Sequence, residues 1–132
     1  MIYGLVIEGK PQPKERPRVY NGHGVTPPKT REYEKMVAWL WQMKCKAKLT
    51  GAVRMRCTFY LPIPPSWSKK KQEDARQGVI YPTVRPDIDN LNKIIMDALN
   101  EVAYLDDKQV VAVISEKRYS DRPRTDVVLE EL

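Results

Sequence analysis

A chain of 132 residues is the size of one domain, long enough to bury a single core without disulfides or a structural metal. Its 42% hydrophobic and 30% charged residues are those of a globular protein, and no stretch approaches the ~20 apolar residues of a membrane span. The formal charge of +6 favours a polyanionic partner, because cations that displace the counterions of a phosphate backbone gain binding free energy. Cys45 and Cys57 form no C-x-x-C pair, which argues against zinc. The start, MIYGLVIEGK, lacks the basic n-region and cleavage site of a signal peptide. Reduced thiols, a cytoplasmic location, no membrane and no small-molecule cofactor are therefore expected.

In chain order, residues 2–8 (IYGLVIE) are apolar and partly β-branched and predict a strand. GKPQPKERPRVY follows as an extended basic loop, with prolines at 11, 13 and 17 among lysines and arginines. Asn21-Gly22 favours a type I′ turn, predicting a small hairpin over 18–25. Thr30 is the expected N-cap of a helix with Glu32 and Glu34 in its first turn. Its face is Tyr33, Met36, Val37, Leu40, Met43 and Ala47, ending near Gly51. Residues 52–61 alternate Val53, Met55, Cys57 and Phe59 against polar neighbours, a half-buried strand. PIPPSW breaks it, and 66–77 is a short polar helix. Asp87 or Asp89 caps a second main helix with the face Leu91, Ile94, Ile95, Ala98, Leu99 and Val102. Strands over 109–115 and 125–129 close the chain, expected as an antiparallel pair across the turn at 120–124. The order predicts a single α/β (α+β) domain over 1–132, a mixed sheet of about four strands with two main helices packed on it.

Charge is unevenly spread. Basic residues crowd 10–18, 44–48, 69–71 and 122–124, whereas aspartates gather at 87–97 and 106–107. A basic surface around an acidic focus suits a metal-dependent nuclease: the cations hold DNA and the carboxylates hold the metal. On the second helix Asp89, Lys93 and Asp97 form a polar stripe at four-residue steps. Asp87 precedes it after Arg85-Pro86, and Asp106-Asp107 follows in a short connection. Three carboxylates from two loci suit Mg²⁺, a hard cation that prefers oxygen. The same residues also read as a helix cap, a turn and a surface ion-pair ladder.

The stretch RPDIDNLNKIIMDALNEVAYLDDKQV resembles the core motif of the RusA family of Holliday junction resolvases, P-D-x-D-N-x-x-K, then D-A-L, then D-D-x-Q-V. Matching positions are Pro86, Asp87, Asp89, Asn90, Lys93, Asp97-Ala98-Leu99 and Asp106 to Val110. GKPQPKERPRVY and TPPKTREYE extend the likeness to phage and Gram-positive members, over nearly the whole chain. One departure is Asn100-Glu101, where members often carry a glycine.

The resemblance implies a homodimer that binds four-way junction DNA and nicks two strands symmetrically with Mg²⁺, for which Mn²⁺ can substitute. It implies Asp87, Asp89 and Asp107 as metal ligands, with Asp106 the alternative to Asp107, and Lys93 as a required lysine. Lys93 would neutralise a non-bridging phosphate oxygen or orient the attacking water; Asp97 would hold Lys93, or simply pair at the surface. The expected DNA contacts are Lys14, Arg16, Arg18, Lys69, Lys70 and Lys71, the last three equally readable as a solvated helix face. Trp67 is a further candidate, Trp39 and Trp41 read as core or dimer contacts, and His23, at a hairpin tip, is given no catalytic role. A non-cleaving, junction-binding architectural protein is the competing expectation.

Overall fold

β1 (Ile2–Glu8) turns Leu5 and Ile7 into the core. A basic loop leads to a two-stranded hairpin, β2 (Arg18–Tyr20) and β3 (His23–Val25). Positive φ at Asn21 and Gly22 is what the expected type I′ turn requires. The chain continues through α1 (Pro28–Lys44), β4 (Val53–Pro62), α2 (Lys69–Arg76), α3 (Ile88–Leu99), a 3₁₀ turn (Asp107–Gln109), β5 (Val110–Ser120) and β6 (Arg124–Glu131). This computed structural model describes residues 1–16 and 18–132, with Arg18 and Tyr20 described as backbone only. The predicted α+β class and sheet size hold: four strands form one mixed sheet in the order β1-β6-β4-β5, with β6 antiparallel to β1 and β4 and β5 parallel to β4.

The expected pairing of the last two strands is corrected. β5 and β6 run in opposite directions, but β4 lies between them. Val53, Met55, Cys57, Phe59 and Leu61 of β4 alternate inward, and both of its edges are hydrogen-bonded, one to β5 and the other to β6. The turn after Ser120 must then cross about 10 Å to pass over the end of β4, within reach of its three residues. It crosses where β4 ends at Pro62, opposite Ser120, a residue with no N–H to offer a further partner.

α1 also departs from expectation at both ends. It starts at Pro28 after an N-cap at Pro27, so Thr30 is not the cap but a buried residue of the first turn. Proline is favoured at the first helical position because its missing N–H has no helical partner there. The helix stops at Lys44 rather than near Gly51, because Lys46 takes a left-handed conformation (φ 53) and its N–H, like that of Cys45, returns to the Trp41 carbonyl. The buried face is Thr30, Val37 and Trp41, not the Met36 and Met43 side. Trp41 (1% exposed) packs on Tyr3 and gives its indole N–H to the Ala47 carbonyl, whereas Trp39 is 57% exposed.

α3 buries the face its periodicity predicts as far as its end at Leu99: Leu91, Ile94, Ile95, Ala98 and Leu99 join Val37 and Trp41 of α1 and the inner faces of β1, β4 and β6 in one core. Val102, expected on that face, lies beyond the helix and is half-buried. The opposite stripe of α3, carrying Asp89, Lys93 and Asp97, is thereby fixed outward. No helix among the described residues is long and apolar enough to cross a membrane.

Candidate active site

The entry to α3 is held from below. Lys117 lies opposite Phe59 on the core face of β5, and its ammonium donates to the carbonyls of Val84 (2.6 Å) and Pro86 (3.0 Å). This pins the segment ahead of Asp87. Asp87 is the N-cap residue by backbone, yet its carboxylate makes no capping hydrogen bond, so the side chain is left for other work. Further along α3, Asn92 accepts the Ser115 hydroxyl hydrogen bond at 2.5 Å, tying helix to strand.

The Asp106-Asp107 pair divides its roles. Asp106 caps the 3₁₀ turn, accepting from the Lys108 N–H at 2.9 Å, while Gln109 closes the reciprocal half of a capping box. Gln109 goes further: its carbonyl accepts from the Leu105 and Asp106 N–H groups, and its amide donates to the carbonyls of Leu49 and Gly51. Four bonds from one side chain latch the turn to the segment before β4. Asp107, free of the cap, faces a depression of about 280 Å³ that it shares with Asp89, Asn92, Lys93, Met96, Asp97 and Val113. The Lys108 N–H, then the contact with Asp107, hold Asp106 below the usual carboxylate range. Asp107 is pushed above it, first by the hydrogen-bonding contact with Asp106, then by desolvation and the charges of Asp106 and Asp97, with Lys93 opposing.

Two further depressions continue this one along α3. One, about 330 Å³, is lined by Lys14, Glu15, Arg16, Thr26, Asn90, Lys93 and Asp97. The next, about 500 Å³, is lined by Pro13, Lys14, Arg16, Arg85, Pro86, Asp87 and Asn90. Shared residues make them one groove, acidic at the Asp107 end and basic at the Arg16–Arg85 end. The basic loop reaches it because the Lys14 N–H donates to the Asn90 carbonyl at 2.9 Å.

Of the expected metal ligands, Asp89 and Asp107 thus share a depression, and Asp87 lines the far one. Among the described residues no three His, Cys, Asp or Glu side chains are drawn together as a metal cage. Two carboxylates beside a groove still fit a hard divalent cation, since Mg²⁺ is commonly held by one or two carboxylates with waters and substrate phosphates completing its shell. Lys93 sits in the same depression, 3.7 Å from Asp97.

The expected DNA contacts separate. Arg16 is exposed on the groove; the Arg18 side chain lies outside the described residues. Lys14 is turned inward, bridging Glu34 (2.9 Å) and Asp97 (3.1 Å). Lys69, Lys70 and Lys71 belong to α2 and line none of the three depressions. Lys70 pairs with Asp74, and Lys71 lies over the Trp67 ring, which itself packs edge-on against Tyr119. Sequence reasoning missed Gln109, Lys117, Arg85 and Glu34. Gln109 stood inside a quoted motif without a role, and Lys117 carried a signal, a charge at an inward position of a strand; for Glu34 and Arg85 the sequence held none.

The chain is similar to known proteins over nearly its whole length. Residues 8–130 match the family described as Endodeoxyribonuclease RusA. A relative from Bacillus subtilis (strain 168), named Uncharacterized protein YqaN, is 39% identical over 135 residues, covering 97% of this chain and 95% of its own. With that match running from the end of β1 into β6 and taking in the three helices and every residue that lines the groove, the chain belongs to the RusA family of endodeoxyribonucleases.

Proposed function

We propose that this protein is a divalent-cation-dependent, structure-selective endonuclease that cuts four-way DNA junctions by paired nicks, acting as a homodimer in recombination and repair. The observation that carries the reading is the groove along α3, in which Asp89, Asp107 and Lys93 share one depression and Arg16 and Arg85 line its continuation. A divalent cation held by Asp89 and Asp107, with Asp87 farther along the groove, would supply an activated water and neutralise charge on the phosphate.

The chain's own groups do the rest. Hydrolysis joins the water oxygen to phosphorus and breaks the P–O3′ bond, leaving a 5′-phosphate and a 3′-hydroxyl. The Lys93 ammonium, one turn beyond Asp89, meets the charge that grows on a non-bridging oxygen. Asp97 restrains Lys93 from one side. Arg16 and Arg85 bind neighbouring phosphates and set the strand's register without reading its bases. A junction has approximate two-fold symmetry, so two copies related by a two-fold axis present two such grooves to two equivalent strands.

The test is cleavage of a synthetic four-way junction against linear duplex of the same sequence, with Mg²⁺ and with EDTA, and light scattering on the free protein. Expected are paired nicks in the junction with Mg²⁺ only, and a mass near twice 15.3 kDa. Junction binding without any nicking would instead support an architectural role, and a monomer on the junction would refute paired nicking.

A further inference from the structure

Among the expected DNA contacts whose side chains are described, Lys14 is the one whose placement fits a phosphate contact least. Its side chain is 15% exposed against 61% for Lys93. Its ammonium lies 2.9 Å from Glu34 of α1 and 3.1 Å from Asp97 of α3, so two of its three donors are committed within the fold. Its backbone N–H is bound to Asn90 as well. Half-buried charges lose solvation that pairing only partly repays, so stability alone is a poor reason for such an arrangement.

The informative detail is the shared atom. The Asp97 oxygen that Lys14 holds at 3.1 Å is also the one nearest Lys93, at 3.7 Å. Two ammonium groups compete for one carboxylate oxygen, and Lys14 has the closer position. Lys93 is left at the long end of ion-pair range and exposed toward the groove. Were Lys14 absent, Asp97 would carry an uncompensated charge one helical turn from Lys93 and would draw that ammonium down onto itself. Pairing with Glu34 holds the Lys14 ammonium against the groove wall rather than free toward a bound strand. Burial works to lower the Lys14 pKa, but the hydrogen bonds it donates to Glu34 and Asp97 and the charges of those carboxylates outweigh it and leave it raised, so this cation persists throughout the neutral range.

We infer that Lys14 is a positioning residue, anchored by Glu34, that occupies Asp97 and so keeps the Lys93 ammonium available to the phosphate of a bound strand. The inference rests on the nuclease reading of the same groove.

Four proteins separate it from the alternatives: the unaltered chain, Lys14→Met, Lys14→Arg, and the double variant Lys14→Met/Asp97→Asn. Junction binding is measured in EDTA across a salt series, and cleavage at saturating junction with Mg²⁺. Lys14→Met is expected to leave the slope of log K against log salt unchanged, because no phosphate contact is lost. Its saturated cleavage rate should fall by about 10- to 100-fold, the upper end being the scale of a catalytic group misplaced by about 1 Å. Lys14→Arg should recover much of that rate, and the double variant should exceed Lys14→Met by at least about threefold, because removing the Asp97 charge releases Lys93 again. A merely structural ion pair predicts the reverse for the double variant, a further loss. If Lys14→Met unfolds, Lys14→Gln, which keeps a donor for Glu34, replaces it in both arms. A salt slope lowered by about one with an unchanged saturated rate would make Lys14 a phosphate contact and overturn the inference. Absence of cleavage by the unaltered chain would instead overturn the nuclease reading, and the inference with it.

Discussion

Gln109 offers a perturbation whose size follows from the structure. Its amide accepts at 2.8 and 2.9 Å from the Leu105 and Asp106 N–H groups and donates at 3.0 and 2.9 Å to the Leu49 and Gly51 carbonyls. A net hydrogen bond contributes about 0.5–1.5 kcal/mol. The backbone groups concerned are partly exposed, so water replaces some of what truncation removes and the low end applies. Gln109→Ala should therefore cost about 2 kcal/mol, a sizeable share of the roughly 5–15 kcal/mol that holds a domain folded. For a chain of this length that corresponds to a fall in Tm of about 6–8 °C, read by circular dichroism or differential scanning calorimetry. Gln109→Met, similar in volume but without either polar end, should fall as far, because the loss is polar rather than steric. The same turn carries Asp107, so cleavage at saturating junction should fall in both variants even well below Tm. A Tm drop of less than about 2 °C in both would refute the latch, and an unchanged cleavage rate would show that Asp107 is placed by something else.

Three further outcomes follow from the same geometry. Asp107→Asn should abolish nicking while junction binding in EDTA is kept or strengthened, because a negative charge is removed from the groove; Asp106→Asn should lower Tm more than it lowers cleavage, as Asp106 caps the turn. Arg16→Glu should weaken binding to every DNA form and lower the salt slope by about one, and an unchanged slope would place the basic end of the groove off the DNA path. Burial pushes the Cys57 thiol up to about 12, so at pH 8 it stays a thiol and should not react with a thiol-specific disulfide reagent in the folded protein. Raising pH should release its reactivity only near that value or at unfolding, whichever comes first, and rapid labelling at pH 8 in the folded state would contradict the core placement.

Local pattern sufficed for much of this molecule. The alternation of β4 and the 3.6-residue period of α3 each bury one face, and burying that face leaves a single choice for which side of α3 shows Asp89, Lys93 and Asp97. The Asn21-Gly22 turn was equally legible, because its positive φ values suit those two residues. α1 was not, since it carries more large apolar groups than one face can bury; neighbouring Tyr3 and the core strands selected Thr30, Val37 and Trp41 over Met36 and Met43. Strand order was beyond local pattern too, because a short turn between β5 and β6 serves equally for direct pairing and for crossing over β4.

The acidic groove divides along the same line. The carboxylates and Lys93 announce themselves by spacing within one helix and its flanks. What each charge does is settled by groups far away in the chain. Asp106 and Asp107 are chemically alike; the Lys108 N–H makes the first a cap, and Gln109 ties the turn that carries both to the distant Leu49 and Gly51 carbonyls. Lys14 and Arg16 stand two residues apart in one basic loop, yet Glu34, twenty residues on, and Asp97 turn the first inward. Charge type is a property of the residue, but whether a charge meets solvent, substrate or a partner depends on which distant atoms the fold brings within about 3 Å of it.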